Sequence, residues 1–162
     1  MVKKAKGFGR SVSQKRWNEV SDKSFAKLEK SFVDDFGENA VLVRNAPDIT
    51  KMSDVLKEFV SPYKHIPKDK KQLESLLTLA IAAWNLSFLP EEKWSKVTNE
   101  AFTDTYKRLK KGSENIEVAE ALIQDLIERK LKYFADHHRR IINFQLAYLN
   151  RDEYHLTVVS ST

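Results

Sequence analysis

The chain has 162 residues, 41% of them hydrophobic and 31% charged, with four glycines and four prolines. That balance supplies the core of one helical domain and argues against a disordered tail, a sandwich or a barrel. No cysteine is present, which excludes a disulfide scaffold, a thiolate metal site and a cysteine nucleophile.

The net charge of +5 is concentrated at one end. Lys3, Lys4, Lys6, Arg10, Lys15 and Arg16 fall within residues 1–16 with no acid among them. They leave 22 basic against 23 acidic residues in the remainder, so the body is close to neutral. We expect residues 1–16 to form a mobile basic arm and residues 17–162 a single helical domain. Met1 to Lys6 lacks the apolar stretch of a secretory signal, and the run from Leu76 to Trp84 is far shorter than the about 20 residues that span a bilayer. These features predict a cytoplasmic protein without a membrane partner.

Phe25, Leu28, Phe32 and Phe36 follow helical spacing, and Gly37 is placed to end that element. Ser21 or Asp22 is also suited to capping a second start, so the pattern fits one helix or two. Ala40 to Val43 reads as a short strand or a core-plugging loop. Met52, Val55, Leu56, Phe59 and Val60 predict a short helix, closed off by a linker between Pro62 and Pro67. Lys68 to Leu89 is the clearest helix, apolar around most of its circumference through Leu73, Leu76, Leu77, Ala80, Ile81 and Trp84.

Pro90, Glu91 and Glu92 suit the first turn of a further helix that ends at Gly112. Ser113 can cap the next, whose stripe through Ile116, Ala119, Leu122, Ile123, Leu126, Ile127 and Phe134 extends to about His137. From there the period changes to two. Ile142, Phe144, Leu146 and Tyr148, then Tyr154, Leu156 and Val158, flank Asn150-Arg151-Asp152-Glu153 and predict a β-hairpin over about residues 141–159. The expected architecture is therefore mainly α: about five helices in a compact bundle with a C-terminal hairpin.

Few residues point to chemistry. Asp136, His137 and His138 are metal-ligand types, but adjacent residues on a helix diverge by about 100°, and a polar helix end explains them as well. Arg129 precedes His137 by seven intervening residues, too many for the Arg–His spacing of helical ribonucleases. The pairs Asp34-Asp35 and Glu91-Glu92 sit at helix ends. There is no phosphate-binding glycine loop and no nucleophile elbow. Lys107-Arg108, Lys110-Lys111 and Arg129-Lys130 with Lys132 read as helix ends or exposed faces. Asn85, next to Trp84 in the most apolar helix, is a buried polar candidate whose amide needs partners.

These observations favour a non-enzymatic intracellular protein with a protein partner and no cofactor, presenting a helical surface. A lone hairpin is marginal in water, so pairing with a second copy through its edge is one route to stability and would give a homodimer. An alternative is a nucleic-acid-associated protein using the arm, with Phe8 and Trp17 near its cations. A lower alternative is a metal-dependent hydrolase centred on His137 or His138.

Overall fold

The computed structural model describes residues 2–38, 50–96, 116–150 and 153–161, with the side chains of 2–13 and 116–119 outside the description. The fold is mainly α with a C-terminal two-stranded hairpin. Its elements are α1 (Val2–Phe36), α2 (Met52–Val60), α3 (Lys70–Leu86), α4 (Ile116–Tyr133), β1 (Ile141–Tyr148) and β2 (Tyr154–Ser160). The strand or core-plugging loop expected at Ala40–Val43 and, from residue 97 on, the helix expected to end at Gly112 lie outside the described residues. Two compact units are formed, residues 1–53 with 142–160 and residues 54–141 with 161–162.

In the first unit, α1 is one uninterrupted helix of 35 residues, and β2 packs on it. No second start occurs at Ser21 or Asp22. Gly37 follows with φ of 88°, a left-handed conformation open to glycine, and its N–H donates to Val33 O at 2.8 Å. The buried face of α1 is offset from the phenylalanine stripe. Leu28 and Ser24 are buried, Phe25 and Phe32 are half-buried, and Phe36 is exposed. Ser31, seven residues beyond Ser24 on the same face, has its hydroxyl oxygen accepting from Asn143 Nδ2 of β1 at 3.3 Å. Small residues at this face let the hairpin approach the helix backbone, and the bulky rings are left beside the contact.

The hairpin closes through Asn150, whose Oδ1 accepts from the Glu153 N–H at 2.9 Å. Leu149 N–H donates to Glu153 O, also at 2.9 Å. Burial along the strands does not follow strict alternation. Ile141 is buried where Ile142 is exposed, and His155 and Leu156 are both buried.

In the second unit, α3 packs on α4. Asp69 caps α3, its carboxylate accepting from Gln72 N–H at 2.8 Å, while Gln72 Oε1 accepts from Lys68 N–H at 2.8 Å. These two bonds start the helix at Lys70, two residues later than the apolar pattern suggests. The core centres on three rings. Phe59, Trp84 and Phe134 meet edge to face with centroids 5.2 to 5.8 Å apart. Leu56, Leu77, Leu126 and Ile127 are likewise fully buried in this unit. The helix α4 ends at Tyr133, not His137, and Phe134 N–H and His137 N–H continue as turn bonds to Lys130 O and Phe134 O.

Candidate functional site

The basic N-terminal residues lie along one helical backbone. Lys3, Lys4, Lys6 and Arg10 belong to the first turns of α1, and their side chains are outside the description. Lys15 and Arg16 are exposed. Trp17, the aromatic next to them, packs inside its own unit: its ring meets His155 of β2 edge-on at 4.9 Å. It fastens α1 to the hairpin within that unit.

Asn85 is half-buried on α3. Its Nδ2 donates to Ile141 O at 2.8 Å and its Oδ1 accepts from Ile141 N–H at 3.0 Å. The neighbouring Trp84 Nε1 donates to Arg139 O at 2.9 Å. The chain between α4 and β1 is therefore held to α3 by three bonds within three residues. It is secured again from the far end of the hairpin, where Ser161 N–H donates to Arg140 O, Arg140 N–H to Ser161 Oγ, and Arg139 Nε to Ser161 O.

The acidic and histidine motifs do not converge. His137 lies in the turn after α4, its ring 6.0 Å from those of Trp84 and Phe134, while Asp136 and His138 are exposed. Among the described residues, no three of His, Cys, Asp or Glu come together to hold a metal ion. Asp34, Asp35, Glu91 and Glu92 are exposed. No helix among the described residues is long and apolar enough to cross a membrane.

Two further arrangements are not evident from residue type alone. Lys130 is 3% exposed, with Nζ 4.8 Å from the ring centroids of both Trp84 and Phe88. The two rings face the ammonium with their electron-rich clouds, and burial nevertheless pushes its pKa below the usual lysine value. The signal was in the spacing: 123, 126, 127, 130 and 134 form one stripe, which places Lys130 on the buried side of α4. Its charge drew it to the exposed face instead.

The second arrangement surrounds Arg129. Its Nε donates to Phe59 O at 3.0 Å and its Nη2 to Glu58 O at 3.3 Å, satisfying carbonyls at the C-terminal end of α2. The same guanidinium lies 5.3 Å from the ring centroid of Tyr133. Nearby, burial and the negative charge of Asp125 raise the pKa of Tyr63, opposed by the positive charge of Arg129.

Among the described residues, Lys15, Arg16, Lys132 and Arg140 are the exposed cations of these motifs. Comparison with known proteins gives no matching family model, no similar curated protein and no similar solved structure.

Proposed function

We propose that this is a non-enzymatic interaction protein that associates with a second copy of itself through the outer edge of β1. The observation that carries this reading is the sheet, which among the described residues has two strands in the order β1-β2. Each strand of a hairpin turns half of its backbone amides and carbonyls away from its partner. Asn85 pairs Ile141 and Asn143 Oδ1 accepts from the Phe144 N–H, so the template that a strand edge offers another chain lies further along β1. The exposed Ile142, 42% accessible at the start of β1, adds apolar surface beside that edge.

The test is sedimentation of the full chain over a wide concentration range, with amide exchange measured at both extremes. Dimerisation accompanied by concentration-dependent protection of alternate β1 amides is the expected result. A monomer at every concentration removes self-association, and a dimer without added protection in β1 removes this edge as its interface.

A second reading, nucleic-acid association through residues 1–16, is supported by the continuity of α1. The six cations of that segment lie on one helical rod and not on a random coil. Affinity that falls with salt, and that disappears when all six are changed to glutamine in the full chain, is the expected outcome.

A further inference from the structure

The last turn of α4 holds an aromatic ring in solvent beside two cations. Tyr133 is 63% exposed, with Lys132 Nζ 5.1 Å and Arg129 Cζ 5.3 Å from its ring centroid. Arg129 is held by its bonds to Phe59 O and Glu58 O, which keeps its charge beside the ring. Residues 129–140 contain five basic side chains, Arg129, Lys130, Lys132, Arg139 and Arg140, against one acid, Asp136. Lys132 and Arg140 are both exposed, and among the described residues their charge contacts are with the rings of Tyr133 and Phe88.

We propose that Tyr133 and Lys132 form a contact site for single-stranded nucleic acid, with Arg129 as the positioning residue. A base stacks on the Tyr133 ring in the place that the flexible Lys132 chain now occupies. The displaced ammonium moves to a phosphate. The chemistry selects this partner over the other polyanions. An acidic peptide would use the cations and leave the ring idle. An anionic membrane would call for a broad apolar face, whereas exposed Leu131 is the only large apolar neighbour on this turn among the described residues. A duplex keeps its bases stacked on one another, so the ring favours single strands.

The proposal is tested with labelled oligouridylate and oligothymidylate, by anisotropy across a salt series. The protein is the full chain with Lys3, Lys4, Lys6, Arg10, Lys15 and Arg16 all changed to glutamine, so that failure of the arm and failure of this site are separate results. That protein is expected to retain binding. Tyr133→Ala should weaken it about tenfold, the size expected for one stacked base, while Tyr133→Phe keeps it. Lys132→Gln should reduce the slope of log affinity against log salt by about 0.7, one single-strand phosphate. The proposal is overturned by undiminished binding of Tyr133→Ala, by no binding at low salt, by equal affinity for duplex, or by binding to phosphatidylserine vesicles without binding to the oligonucleotides.

Discussion

Asn85 and Ile141 exchange a full pair of amide hydrogen bonds although they are 56 residues apart. A side-chain amide here copies the pairing of a neighbouring strand, and it fixes where β1 begins. Ile141 itself is buried, so its N–H and C=O have little access to water if the amide is removed.

Asn85→Ala is therefore expected to cost about 2–4 kcal/mol, the sum of two partly buried backbone groups left unpaired. Asn85→Asp keeps the acceptor for Ile141 N–H but sets a carboxylate against Ile141 O, so it should not restore stability at neutral pH. Urea unfolding of both variants checks this. An alanine variant as stable as the parent would show that water replaces the amide at no cost.

Lys130 gives a pH signature. Burial lowers its pKa in the folded chain from the ordinary value of 10.5, so the folded state disfavours its charged form. That penalty is fully present below the folded pKa. It is relieved as pH rises through the folded value toward 10.5, and the Lys130 contribution to stability rises over that window. Lys130→Met keeps a long side chain between Trp84 and Phe88 and carries no charge. It should be more stable than the parent at pH 7, with the difference shrinking toward pH 10.5. Thermal unfolding of parent and variant across pH 7 to 10.5 reads the difference directly. A variant less stable at pH 7 would mean that the two ring contacts outweigh desolvation.

Arg129 joins α4 to the end of α2. Arg129→Ala removes both bonds and is expected to cost about 1–3 kcal/mol. Arg129→Lys should recover only part of that, because a single ammonium does not reproduce the fork that reaches Phe59 O and Glu58 O together. Denaturant midpoints of the two variants, taken with hydrogen exchange of the α2 amides, separate a general loss from local fraying of α2.

Ser24 tests the small-residue face of α1. It is 3% exposed, and Ser24→Leu adds apolar volume where there is little room. The substitution improves helix propensity yet is expected to destabilise by about 1–3 kcal/mol through overpacking. Ser24→Ala should be close to neutral. A stabilised leucine variant would show that the face yields.

Much of this fold was legible from periodicity. The apolar wrap of α3 marks it as a core helix, and the change from period 3.6 to period 2 after about His137 marks the hairpin. Asn150 and Glu153 were visible as turn residues. Boundaries were less so, because Asp69 and Gln72 stop α3 from starting earlier and a turn bond ends α4 at Tyr133. Candidate site residues fared unevenly for a physical reason: residue type reports what a side chain can do, not what is already beside it. Trp17 reads as an aromatic beside cations, and the fold sets it against the His155 ring. Lys130 looked solvated, although its register already placed it with Ile123 and Phe134.

The amino-acid sequence by itself determined the helical class, the hairpin, the absence of thiol chemistry and the basic N-terminal segment, since composition and local periodicity act over a few residues. Tertiary structure alone decided that α1 buries Ser24 ahead of Phe25 and Phe36, that Asn85 is spent on Ile141, and that Tyr133 stays in solvent beside Arg129. Those outcomes depend on groups tens of residues apart competing for the same space and the same hydrogen bonds, a competition settled only when the chain has folded.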